Sequence, residues 1–326
     1  MSTDSRLRAL FAVLAALVLA LGVAACGGDD DDDGGDGGDT SADLIEENPD
    51  NNGVKVTVGS KNFTEQFILG EIYAQALEAA GYDVQTQLNL GSEQIALRAL
   101  EDGEIDAYPE YTSTALTSFF DIPAEEVPAD AQQAEDETQS QFEELGLTVF
   151  EPTPFESANA VGLLTEQAEE LGVSSISDLE GQSEDLTLFG SPECRQRVDC
   201  LVGLEDNYGL QFQKFTPVDI GLRYEVLDKG DADLSILFTT DAQLSESDKY
   251  TILEDDQSLL PAGNVLFVAR TETADEAGPD FGEVVESVQE NLSLEVMQEL
   301  NARVDIDKEE PSEAARAYLQ EFGYIE

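Results

Sequence analysis

Strand and helix alternate along this chain from residue 54 onward, and that order restricts the fold more than any other feature. Residues 54–59 (Val-Lys-Val-Thr-Val-Gly) read as a strand ending in a turn. Phe63, Phe67, Ile68, Ile72, Ala76 and Ala79 then recur at helical spacing, with Asn62 or Thr64 placed to cap the helix and Gly81 to end it. Residues 84–90 form the next strand, 92–100 a helix and 105–108 a short strand. A βαβαβ order predicts a mostly parallel sheet with helices on both faces, because parallel neighbours need a crossover. The rhythm returns after Phe155, with strands predicted at 160–164, 186–189, 212–215, 232–237 and 264–269. The tail is helical over 281–292, 294–303 and 312–322.

An internal echo strengthens the reading of two similar halves. Leu100-Glu-Asp-Gly-Glu-Ile-Asp106 matches Leu227-Asp-Lys-Gly-Asp-Ala-Asp233, 127 residues later. Carried forward, the same offset sets Tyr111 against Phe238 and Thr112 against Thr239. Each half thus runs from helix end through a glycine turn and a short strand to an aromatic followed by a hydroxyl. The fold class is α/β with two lobes, each presenting an aromatic at the carboxyl edge of its sheet, where open α/β sheets bind ligands.

Composition removes several function classes. Asp and Glu total 71 against 15 Lys and Arg, a net charge of −56. Such a surface repels phosphate backbones, so nucleic acid is excluded as a partner. It also points to a saline milieu, where salt screens self-repulsion. There is no His, which removes Ser-His-Asp and Cys-His catalysis and His-containing zinc sites. No phosphate-binding glycine loop and no Gly-x-Ser-x-Gly elbow occurs. The expectation is that the chain is not an enzyme and takes no cofactor and no metal. Hydrophobic residues make up 41% of the chain, enough for a core.

The N-terminus carries an address. Arg6 and Arg8 precede an apolar run over 9–25 that ends Gly-Val-Ala-Ala before Cys26. A basic start, an apolar middle and a small-residue end describe a secretory signal over 1–25. Small residues before a cysteine resemble a bacterial-type lipoprotein processing site, with Cys26 as the lipidated first residue. Residues 26–53, rich in Asp and Gly, read as an acidic tether without enough apolar content to fold. The body is then expected outside the cytoplasmic membrane, held to it by lipid.

Two local features point to an anion site. Cys194 and Cys200 stand six apart, and outside the cytoplasm such a pair reads as a disulfide. The loop it closes carries Arg195 and Arg197, two of very few cations. Lys61 follows the first strand and precedes a helix N-terminus, a position that favours an anion.

Gly59-Ser-Lys-Asn-Phe-Thr-Glu-Gln-Phe-Ile-Leu-Gly70 and Gly103-Glu-Ile-Asp-Ala-Tyr-Pro-Glu-Tyr-Thr-Ser-Thr-Ala-Leu116 resemble the substrate-binding proteins of glycine betaine, carnitine and choline ABC importers. Supporting matches are 192–194 through Gly203-Leu204, Tyr208-Gly209, 221–230 and Phe238-Thr-Thr-Asp241. The resemblance covers 54–325. It implies a periplasmic-binding-protein clamshell, with 54–154 and 265–326 as one lobe and 155–264 as the other. It further implies that a Tyr cage holds a trimethylammonium by cation–π attraction while a Lys, a Thr and an Arg hold a carboxylate. These roles fall on Tyr111, Lys61, Thr114 and Arg197, with Arg195 as the alternative. Other cage positions depart: one falls on Asn159, one on Phe238 and one near Ala262. The cage is thus thinned to Tyr111 and Phe238, with Tyr108 close by.

The resulting expectation is an extracytoplasmic lipoprotein that captures a small zwitterionic, quaternary-amine solute by lobe closure about crossovers near 152–156 and 262–266. It would pass that solute to separate permease and ATPase subunits. Two alternatives share the fold: a receptor for another small carboxylate or zwitterion, and a lipoprotein ectodomain that senses a solute without transport.

Overall fold

A computed structural model describes residues 44–326. The expected signal over 1–25 and the lipidated Cys26 lie outside the described residues. Eleven strands form two sheets in this body. In the first, β1 (Lys55–Gly59), β2 (Asp83–Gln87), β3 (Ala107–Tyr111), β4 (Leu147–Val149) and β11 (Gly263–Arg270) run in the order β2-β1-β3-β11-β4, and β5 (Glu156–Ser157) also pairs with β11. The second has the order β10-β6-β9-β7-β8, from β6 (Asn159–Leu164), β7 (Thr187–Gly190), β8 (Lys214–Pro217), β9 (Leu234–Phe238) and β10 (Tyr250–Ile252). The α/β architecture of two helix-flanked sheets is therefore present.

Each sheet is mixed. β2, β1 and β3 are parallel, as are β8, β7 and β9. The remaining pairings are antiparallel. The reason is the double crossing. β11 returns from the second sheet and enters the first against the direction of β3, with Val265 opposite Tyr111. Along β11, Val265, Phe267 and Ala269 feed one core cluster, while Leu266 and Val268 feed the cluster on the other face. A period of two thus fills both sides of a fully buried strand.

The helix Thr64–Ala79 buries Ile68, Leu69, Ile72, Tyr73, Ala76 and Leu77, and the C-terminal helix Pro311–Glu321 packs beside it. Its N-cap position is Phe63, with no side-chain cap, so neither Asn62 nor Thr64 caps it. Thr64 instead donates its hydroxyl to Asp305 at 2.6 Å. The helix Ala131–Glu143 was not expected. Its only buried residues are Ala134, Thr138 and Phe142, one every fourth position, too sparse a stripe to read from sequence.

The expected tether over 26–53 ends too late. Ile45 N–H donates to Tyr324 O at 2.9 Å, and Asn48 N–H donates to Ala80 O at 3.0 Å. Asn51 is buried and its amide donates to the same Ala80 carbonyl at 2.9 Å. Polar residues dock here because they satisfy a carbonyl left free at a helix end.

The chain passes between the sheets at Ala158 and again between Ile252 and Gly263, so β5 still belongs with the first sheet. Asn264 binds the crossings together. Its buried amide donates to Thr153 O at 2.9 Å and Phe155 O at 3.2 Å, and Thr153 Oγ1 accepts from Val265 N at 3.0 Å. Gly263 has no room for a side chain, since a Cβ there would lie 2.4 Å from Ser113 Oγ. Asn264→Ala strands two buried carbonyls. It is expected to lower the unfolding free energy by about 2 kcal/mol in a urea titration.

Candidate functional site

The carboxyl ends of parallel strands from both sheets converge on one cleft. Lys61 follows β1, Tyr111 ends β3 and Thr114 lies in the first turn of the helix Thr112–Ser118. From the other side come Asn159 at the start of β6, Phe238 at the end of β9 and directly opposite Asn159, and Arg197 in the loop after β7. All six residues singled out from the sequence line this cleft. Its enclosed volume is about 90 Å³. One water needs roughly 10–15 Å³ by that measure, so a small solute has room.

Lys61 is the deepest cation. It is buried and ion-paired with Glu110, whose side chain is fully buried. Glu110 also accepts from Tyr108 O–H at 3.0 Å and Tyr111 N–H at 2.7 Å. Tyr108 therefore supports the ion pair and is not a wall of the cleft. Burial lowers the Lys61 pKa below the ordinary lysine value, against the raising pull of Glu110. The ammonium stands 4.5 Å from the Tyr111 ring centre and 5.9 Å from that of Phe63.

Arg197 is held in the loop that follows β7 of the second sheet. Cys194 and Cys200 are joined by a disulfide, with Cα atoms 5.2 Å apart. Within that loop Arg197 forks onto Asp199, with Nε 2.7 Å from Oδ1 and Nη2 on Oδ2. Its Nη1 lies 3.7 Å from Glu93, which opens the helix between β2 and β3. Burial alone would lower the guanidinium pKa, but Asp199, Glu93 and Glu110 together outweigh it and the net direction is up. Asn159 donates its amide to Asp199 O at 3.1 Å, so this position now braces the Arg197 loop. Arg195 points elsewhere. It donates to Phe215 O at 3.1 Å and stacks 4.8 Å from the Phe215 ring, which removes it as the alternative to Arg197.

Among the wall residues that the sequence reading missed are Phe63, Glu93, Asp199 and Arg223. Phe63 was counted on the apolar face of a helix, yet it precedes the first helical turn and its ring turns into the cleft. It stacks on Tyr111 at 6.3 Å and meets Phe238 at 5.3 Å, so three rings stand together. Arg223 is buried, forked onto Asp241 and centred 5.0 Å from the Phe238 ring. Asp241 also accepts from Phe238 N–H at 2.9 Å, which ties the ring's backbone to the guanidinium. The supporting matches at 221–230 and at Phe238-Thr-Thr-Asp241 contained both residues of this pair. Ala262, near which a further ring was expected, is exposed, and Pro261 lines the cleft in its stead.

Tyr111 closes the back of the site. Its O–H donates to Glu65 Oε1 at 2.6 Å, and desolvation together with that carboxylate holds its pKa well above the usual phenol range. The ring thus remains a neutral donor. The electrostatics of the cleft rest on matched pairs, and Lys61 tolerates burial through Glu110. Glu110→Ala leaves that ammonium unpaired and is expected to cost about 3–5 kcal/mol of stability, read by chemical denaturation.

Among the described residues no group of three or more Cys, Asp or Glu side chains is arranged to hold a metal ion. The geometry suits reversible capture of a small solute with separated charges: each side of the cleft brings aromatic rings and cations together, Tyr111 and Phe63 with Lys61 on one side and Phe238 with Arg223 and Arg197 on the other.

Residues 54–321 match the family described as the substrate binding domain of the ABC-type glycine betaine transport system. A glycine-betaine-binding protein of Pseudomonas aeruginosa is 35% identical over 275 residues, which span 81% of this chain and 86% of that one. An ergothioneine transport permease/ergothioneine binding protein of Helicobacter pylori is 27% identical over 280 residues, 86% of this chain and 48% of that one. The crystal structure of a glycine betaine/carnitine/choline ABC transporter superposes with a TM-score of 0.65 at 25% identity, covering 83% of this chain and all of that one. Fold and sequence agree, and the chain belongs to the family of substrate-binding domains of ABC-type glycine betaine transport systems.

Proposed function

We propose that this chain is a lipid-anchored receptor that captures a glycine betaine-like osmoprotectant outside the cytoplasmic membrane and delivers it to the permease and ATPase of an importer. The family consists of solute-binding components and not of enzymes. The observation that carries the ligand reading is the cluster of Phe63, Tyr111 and Phe238 in the same cleft as Arg197, Lys61 and Thr114. The three rings offer a quaternary ammonium electron-rich faces in a desolvated setting. Arg197 and the Lys61 ammonium, only one of whose three donors goes to Glu110, offer a carboxylate its partners. Because these groups come from both lobes, the ligand makes its full set of contacts only when the lobes are closed, and binding shifts the population toward closure.

Glycine betaine is expected to bind saturably in titration calorimetry at high salt. Tyr111→Ala or Phe238→Ala should each weaken it by roughly thirtyfold, the equivalent of about 2 kcal/mol. Arg197→Ala should weaken betaine while leaving choline, which lacks a carboxylate, nearly unchanged. Equal losses for both ligands would refute Arg197 as the carboxylate partner, and no heat with betaine on folded protein would move the substrate to another zwitterion. The anchor has its own test. Cys26→Ser should shift the chain from the membrane fraction to the soluble extracytoplasmic fraction, and retention in the membrane would refute lipidation there.

A further inference from the structure

Behind the cleft, a single side chain links a group that binds Tyr111 to the backbone just beyond Phe238. The helix Leu294–Asp305 packs against Thr64–Ala79 of the first lobe and against Ala242–Glu246 of the second. It carries Asn301, which is 3% exposed. The Asn301 amide donates to Glu65 Oε2 at 2.9 Å and to Thr240 O at 3.0 Å. The other oxygen of Glu65 accepts from Tyr111 O–H, as described above. Thr240 is two residues beyond Phe238 and adjoins Asp241, which holds the Phe238 backbone and Arg223. One turn earlier, Gln298 donates to Thr239 O at 3.2 Å.

The chemistry of the two acceptors leaves little choice at position 301. Both Glu65 Oε2 and the Thr240 carbonyl accept here, so the bridging group has to donate twice, and a carboxamide does so without adding a charge. Its own oxygen is buried and has no hydrogen-bond partner among the described residues. A buried unsatisfied acceptor costs free energy, which packing alone gives no reason to retain.

We propose that Asn301 is a positioning residue that clasps the lobes. It would set Tyr111 and Phe238 at their spacing across the cleft and hold the binding-competent arrangement populated before ligand arrives. This inference rests on the cleft being the ligand site. Apparent affinity scales with the fraction of competent protein, so loss of the clasp weakens binding without removing a ligand contact.

The test pairs affinity with lobe separation in the full chain. Spin labels attached through Glu104→Cys and Asp231→Cys, on a Cys26→Ser background, report the distance between lobes. Asn301→Ala is expected to lengthen that distance in ligand-free protein and to weaken glycine betaine by about tenfold, the order of one buried hydrogen bond across a closing interface. Melting without ligand should fall no further than for Asn264→Ala, since both changes strip a buried amide from two acceptors. Gln298→Ala should act in the same direction with smaller effect. If Asn301→Ala does not fold, Asn301→Ser, too short to reach both acceptors, takes its place with the same expectations. An unchanged distance overturns the clasp, including the case where affinity falls together with melting temperature, which marks a merely structural role. If wild-type protein binds no betaine, the ligand reading fails on its own, and the ligand-free distance still decides the clasp.

Discussion

Removing Lys61 from water costs several kcal/mol unless a counter-charge is built in beside it. Glu110 supplies that charge from the end of the neighbouring strand, and Tyr108 and the Tyr111 backbone complete its hydrogen bonding. With the pair in place, the aromatic rings of Phe63 and Tyr111 can close around the ammonium and the cleft can be both dry and charged. The same solution appears at Arg197 with Asp199 and at Arg223 with Asp241. In a chain of net charge −56 each of these three cleft cations has its own carboxylate.

The pairs also organise the backbone. Asp241 holds the Phe238 amide as well as the Arg223 guanidinium, and Asp199 receives the Asn159 amide as well as Arg197. Each carboxylate thereby fixes a strand end, a ring or a loop relative to a positive charge. Nearby, Asn264 ties the two crossings, and Asn301 spans from Glu65 to Thr240. Buried amides perform these links because they bridge acceptors without adding a charge.

Much of the fold was legible because it follows local pattern. Strands β1, β3, β6, β7 and β9 and the helices beside them follow periodicities that a few residues suffice to show. The echo between 100–106 and 227–233 correctly brought Tyr111 and Phe238 to equivalent strand ends. What escaped were features decided by distant partners. β4 and β10 are three residues each and gain their pairing only from β11 and β6. Phe63 sits where helical periodicity does not apply. Residues 45–53 look like a solvated linker until Ala80 and Tyr324 provide acceptors.

The sequence by itself determined the α/β class, the exclusion of His-based chemistry, and the motif residues Lys61, Tyr111 and Thr114. These depend on residue type and near-neighbour spacing, which a linear chain displays. Only the tertiary structure decided that both sheets are mixed, that Arg197 and not Arg195 faces the cleft, and that Phe63 joins Tyr111 and Phe238. Those outcomes depend on which carboxylate or ring lies within a few ångströms across the fold, and residues as far apart as Glu65 and Asn301 become neighbours only once the chain has closed.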